Sequence, residues 1–184
     1  LQQITSGFIT DGPDVLHWFT DKPPKVMEAM DIIEEGGDQS VILWSNFRPE
    51  IARLCEELAY RGINYVAIHG GINEHDRIEA RTQFQDGSVH IMVANQAAGG
   101  IGLDLWRASI AAYLSNSFKT EDRVQSEDRC HRIGSEIHKS VSYYDIVVPG
   151  TVDVRILRVI RNNRNLSDAI LSGGLRGMIT KGDE

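Results

Sequence analysis

The sequence predicts a three-layer α/β domain with a mostly parallel central sheet flanked by helices, and two observations carry that expectation. Short apolar runs of strand type, none with a polar face, alternate with amphipathic stretches of ten to fourteen residues, the pattern of parallel strands joined by covering helices. Each run is also followed by a polar or Gly-rich cluster: Ser45-Asn46, His69-Gly70-Gly71, Asn95 to Gly102, Ser115-Asn116. In open α/β sheets ligands gather at the carboxyl ends of the strands, so these clusters mark a functional edge.

The elements follow in order. Residues 1–24, with Gly7, Gly12, Pro13, Pro23 and Pro24, read as an irregular lead-in from a preceding domain, and a chain starting at Leu1 rather than Met reads as cut from something longer. The folded domain is expected over 25–172, with 173–184 a flexible tail. From Lys25, Val26, Met27, Met30 and Ile33 fit an amphipathic helix stopped at Gly36-Gly37. Its Ile32-Ile33-Glu34-Glu35 resembles the acidic end of a metal-binding strand, but the helical period accounts for it. Val41 to Ser45 is a strand. Pro49 opens a second helix, with Ile51, Leu54, Cys55 and Leu58 buried and Gly62 as the stop. Tyr65 to Ile68 is the next strand, and Asn73 caps a helix from Glu74 to about Phe84, with Ile78 and Phe84 inward and Arg77 and Arg81 on one side. Val89 to Ala94 and Ile110 to Leu114 are strands, Asp122 to Arg132 a helix, and Val141 to Val148 a strand. Thr151 caps a long final helix, and a shorter one covers Leu166 to Leu171.

Composition narrows the function. At 184 residues and 41% apolar content, one core is expected. No run of eighteen apolar residues and no basic-then-apolar leader occurs, so neither a membrane span nor a signal peptide is expected, and a cytosolic protein is the simplest reading. Cys55 and Cys130 lack C-x-x-C or zinc spacing and read as free thiols, with Cys130-His131 an accident of helix surface. The net charge of −7 argues against a uniformly basic surface. Arg123, Arg129, Arg132, His138 and Lys139 nonetheless promise a basic edge on an acidic body.

The most informative tract is Gln125 to Gly134, Q-S-E-D-R-C-H-R-I-G. If it is helical, Arg129 and Arg132 leave one face about one turn apart, two charged forks suited to stabilising charge that develops in phosphoryl transfer. Surface pairing with Glu127 and Asp128 is the ordinary alternative. Gly99-Gly100-x-Gly102 could cradle phosphate or make a tight turn, and Asp104 could accept from a ribose hydroxyl or cap a loop. His69-Gly70-Gly71 offers close backbone approach and free N–H groups to a sugar-phosphate chain, or is only a strand-to-helix turn. Arg48, Arg77 and Arg81 could equally be solvated helix charges. Trp18, Trp44 and Trp106 read as core or edge aromatics, with no base stacking assigned.

Together V-I-L-W-S-N-F (41–47), I-H-G-G (68–71) with Arg77, A-G-G-I-G-L-D-L (98–105) and Q-S-E-D-R-C-H-R-I-G (125–134) resemble, in order and spacing, the second RecA-like lobe of superfamily-two helicases, most of all the Swi/Snf-like branch of DNA translocases. The resemblance covers about Lys25 to Leu171, and its last motif is very specific for that branch. It implies that Arg129 and Arg132 are the arginine-finger pair reaching ATP on another lobe, with Gln125 at the same interface. Gly100, Gly102 and Asp104 would touch the nucleotide. Ser45, Asn46, Arg48, His69, Gly70, Gly71, Asn95 and Gln96 would grip the DNA backbone. Asn95-Gln96 replaces the usual Ser-Thr, Asp104 a common Asn, Ser135 the usual Gln, and Ser115-Asn116-Ser117-Phe118 the usual Asp-x-x-Trp-Asn-Pro, as in a divergent phage or mobile-element relative.

The sequence contains no G-x-x-x-x-G-K-[ST] phosphate loop and no Walker-type carboxylate pair at a strand end. The expected partners are therefore DNA and an N-terminal RecA-like lobe of the same protein that holds most ligands of ATP with Mg2+, and this lobe alone is expected to be inactive. The alternatives are a non-catalytic nucleic-acid-binding or regulatory α/β module and a Rossmann-like nucleotide-binding domain using the Gly99 loop.

Overall fold

The structure, a computed structural model, describes residues 1–12, 15–97, 104–131, 137, 138 and 140–171, with side chains to residue 165. The elements are α1 (Gln2–Thr5), β1 (Phe8–Thr10), β2 (Leu16–Trp18), α2 (Pro24–Gly36), β3 (Val41–Ser45), α3 (Arg48–Tyr60), β4 (Tyr65–Ile68), α4 (Glu74–Asp86), β5 (Ile91–Asn95), β6 (Ile110–Tyr113), α5 (Thr120–Cys130), β7 (Ser142–Asp145) and α6 (Val152–Leu171). Five strands form a parallel sheet in the order β4-β5-β3-β6-β7.

Side chains alternate across β3, the central strand, which is buried along its whole length. Val41 and Leu43 join α2 and α3 residues such as Met30, Ile33, Leu54 and Leu58 on one face. Ile42 and Trp44 join Phe84 of α4 and Cys130 of α5 on the other. This is the expected three-layer arrangement, and burial on both faces explains why the strands read as continuous apolar runs. Register sets the edge: Ser45 pairs with Asn95 and Trp44 with Tyr113, so the strands end side by side and their loops leave together.

Several elements depart from expectation. The lead-in is structured, with a short helix and an antiparallel hairpin of β1 and β2. Phe8 is fully buried, its ring 5.1 Å from that of Trp18 and 5.7 Å from that of Phe47, which fastens the hairpin to the start of α3. Three-residue strands carry too little periodicity to show in a sequence rich in Gly and Pro. Ile78, expected inward, is 56% exposed, and Ala80 and Phe84 supply the buried face of α4. The final helix is continuous from Val152 to Leu171 rather than split. It is held by a buried ion pair, Lys25 Nζ to Asp153 Oδ2 at 2.7 Å, while Thr5 Oγ1 donates to Asp153 Oδ1 at 2.8 Å. Among the described residues no helix is long and apolar enough to cross a membrane.

Candidate functional site

The carboxyl edge of the sheet is assembled by hydrogen bonds between neighbouring strand ends. Asn95, at the end of β5, donates from Nδ2 to the carbonyls of Ser45 (3.1 Å) and Asn46 (3.2 Å). The Asn46 N–H donates to Ser115 Oγ at 2.9 Å. Beneath them lies Glu50, fully buried in the first turn of α3, whose Oε2 accepts from Ser45 Oγ at 2.5 Å and Ser115 Oγ at 2.6 Å. Ser45 is itself fully buried, so its hydroxyl braces the loop from inside. One carboxylate oxygen in the first turn of α3 thus holds two serines at strand ends, while the other, Oε1, is buried with no hydrogen-bond partner among the described residues.

The outer part of the edge is more open. Arg48 is exposed and Asn46 half-buried. His69 accepts the Gly71 N–H on Nδ1 at 3.1 Å, so that N–H is occupied rather than free, contrary to expectation. Burial first, and the nearby Arg48 charge second, hold the His69 imidazole below its ordinary pKa and favour the neutral ring. Gly70 faces open space, whereas a Cβ on Gly71 would lie 2.6 Å from Arg48 Nη2. Glycine at 71 therefore lets the guanidinium of Arg48 lie against the backbone. Arg48, His69, Gly70 and Gly71 form one group at this edge, while Gln96 is 2% exposed and turned inward.

Helix α5 ends at Cys130, and His131 leaves helical geometry at φ −98° and ψ 61°. The helix expected over 122–132 is thus described to Cys130, and the expected placing of Arg129 and Arg132 on one helical face lies outside the described residues. Gln125 is exposed. Arg129 is 7% exposed with its guanidinium carbon 5.8 Å from the Trp44 ring centre, and its carbonyl accepts the Leu105 N–H at 2.9 Å. Asp104 lies beside that contact, its carbonyl accepting from Gln85 Nε2 at 2.5 Å and its Oδ2 4.0 Å from Arg81 Nη2. The Asp104 segment and α5 are thus pinned together. Gly100, Gly102, Arg132 and Lys139 lie outside the described residues.

Arg123 corrects the expected basic edge. It is 5% exposed, with Nε donating to Glu127 at 2.6 Å, Nη1 to Asp145 Oδ1 at 2.5 Å, and its guanidinium 3.4 Å from the Tyr113 ring centre. Two carboxylates and an aromatic face offset the cost of burying the charge. Glu127 also accepts from Arg164 Nη1 at 2.6 Å, so its partners lie on α5 and α6. Cys130 is fully buried in the core, not on the helix surface. Glu50, Asn116 and Asp145 were not singled out from sequence as interacting groups. The serine and asparagine pairs ending β3 and β6 were the available signal.

A parallel sheet flanked by helices, with polar loops along one edge, defines a RecA-like α/β domain. The model of the helicase conserved C-terminal domain matches residues 21–134, more than half of the chain, and the chain belongs to that family. Relatives are ATPases of the Swi/Snf-like branch, as the motifs imply. The chain is 28% identical over 132 residues to the chromatin-remodeling ATPase INO80 of Mycosarcoma maydis, covering 71% of this chain and 7% of that protein. It is 29% identical over 167 residues to an ATP-dependent helicase of Schizosaccharomyces pombe (89% and 16%). It is 25% identical over 138 residues to the chromodomain-helicase-DNA-binding protein 1-like of Mus musculus (75% and 15%). It thus spans less than a fifth of each relative. The solved C-terminal part of the Fun30 ATPase domain shares the fold at TM-score 0.65 and 21% identity, covering 73% of this chain and 44% of that one.

Proposed function

We propose that this domain is the C-terminal motor lobe of an intracellular ATP-dependent DNA helicase or translocase, completing a nucleotide site that an N-terminal lobe of the same protein carries. The observation that supports this most is the common edge: the Arg48, His69, Gly70 and Gly71 group, the Asn46–Asn95 contact and the α5 residues Gln125 and Arg129 all follow carboxyl ends of strands in one sheet. The other lobe would hold ATP and Mg2+. Donors on α5 and the absence from the sequence of a phosphate loop suit the complementary part, closing onto phosphate from outside.

In this reading Arg132 is the reaching finger, and Arg129, held over Trp44, is the inner member of the pair that fixes the segment from which it departs. A finger is worth roughly 10³ to 10⁵ in rate to the lobe that holds ATP, and this lobe, whose sequence has no phosphate loop to hold it, is inactive alone. Gly100, Gly102 and Asp104 are assigned to nucleotide contact. Asn46, Arg48, His69, Gly70, Gly71 and Asn95 grip the DNA backbone, with Ser45 and Gln96 bracing them from within. Reopening after hydrolysis resets that grip. Titrating this chain with ATP, NAD and short duplex DNA tests the reading. Weak, salt-sensitive DNA binding with little ATP affinity is expected. Tight NAD binding would instead support a Rossmann-type domain.

A further inference from the structure

We infer that Asn116 is a positioning residue that couples the nucleic-acid edge to the helix bearing Gln125 and Arg129, an inference that rests on the motor reading above. Asn116 follows β6, and its amide sits between the two parts of the site. Its Oδ1 accepts from Gln96 Nε2 at 3.0 Å on one side and from Arg123 Nη1 at 3.2 Å on the other. Its Nδ2 donates to Asp145 Oδ1 at 3.1 Å, and its carbonyl accepts from Gln2 Nε2 at 2.7 Å.

Each end of this bridge is anchored. Gln96 adjoins Asn95, whose side chain clasps the carbonyls of Ser45 and Asn46, and Gln96 Oε1 is buried with no hydrogen-bond partner among the described residues. Asn116 is therefore the hold on the Gln96 amide among the described residues. At the other end Arg123 is fixed by Glu127, Asp145 and the Tyr113 ring, and the Tyr113 hydroxyl shares a 2.9 Å hydrogen bond with Ser126 of α5. Asn116 is half-buried with acceptor and donor both engaged, so a displacement of one partner is passed to the other at the cost of a hydrogen bond if it is not. When DNA shifts the Asn95-Gln96 corner, Asn116 moves Arg123 and α5 with it. Such a contiguous network becomes a coupling path only if altering it changes how one site responds to the other.

The test uses the full-length two-lobe protein, with ATP turnover measured without DNA and with saturating duplex DNA, alongside DNA affinity and thermal melting. Asn116→Ala is expected to keep basal turnover and DNA affinity within about twofold while stimulation by DNA falls at least about fivefold. Asn116→Asp alone would set a second carboxylate against Asp145, so the rescue variant is the exchange Asn116→Asp with Asp145→Asn, which keeps an oxygen at 116 accepting from Gln96 and Arg123 and returns the donor from position 145; it is expected to recover most of the stimulation. A folded Asn116→Ala protein that is stimulated like the wild type overturns the assignment, as does the exchange variant performing no better than Asn116→Ala. If Asn116→Ala does not fold, the exchange variant decides: near-wild-type stimulation supports the coupling, and a loss of about fivefold overturns it. A wild-type protein that DNA does not stimulate is a separate outcome, overturning the motor reading itself.

Discussion

The guanidinium of Arg129 lies over the ring of Trp44, 5.8 Å from its centre, with Trp44 fully buried in β3 and Arg129 only 7% exposed. A tract that reads as a surface feature is thus anchored to the central strand of the sheet. Arg129→Ala is therefore expected to lower the stability of the domain by about 1–3 kcal/mol, from lost cation–π and stem packing. Urea denaturation measures this; an unchanged midpoint would show that the stacking contributes nothing.

Gly71 holds space for Arg48. Alanine there would push its Cβ to 2.6 Å from Arg48 Nη2, the mobile end of a long side chain, so the guanidinium moves while the backbone stays. Gly71→Ala should leave the melting temperature within a few degrees of wild type. It should weaken binding to duplex DNA and reduce the salt slope by about one, the loss of one phosphate contact. Salt-dependent fluorescence anisotropy measures both, and an unaltered slope would remove Arg48 from the DNA edge.

Cys130 is sealed in the core, and burial first, then the Glu127 charge, pushes its thiol pKa from the ordinary 9.0 up to about 12, with Arg129 opposing. A raised folded-state pKa means that the neutral thiol's contribution to stability is complete below pH 9.0 and is lost as pH rises toward about 12. At pH 8, labelling of Cys130 by a thiol reagent is expected to be at least about a hundredfold slower in the native chain than in urea. Mass spectrometry after timed labelling checks it, and rapid native labelling would place Cys130 at the surface.

The sheet was legible because its strands are apolar runs: Val41 to Ser45, buried throughout, and Tyr65 to Ile68, half-buried on one face, stand where those runs place them. The polar edge was legible for the same reason, since each polar cluster follows such a run. What escaped the sequence is pairing over distance. Arg123 reads as one of several basic residues, and its burial depends on Asp145, 22 positions away. Glu50 reads as one acid among several in a helix, and its role depends on two serines that only the sheet brings together. The early end of α5 follows from backbone angles at His131 that no residue type there announces.

Whether Arg132 completes a nucleotide site carried by the other lobe is tested most directly by ATP turnover of full-length Arg132→Ala. A loss of roughly 10³-fold or more is expected, with DNA affinity within about twofold of wild type. Turnover equal to wild type would contradict it.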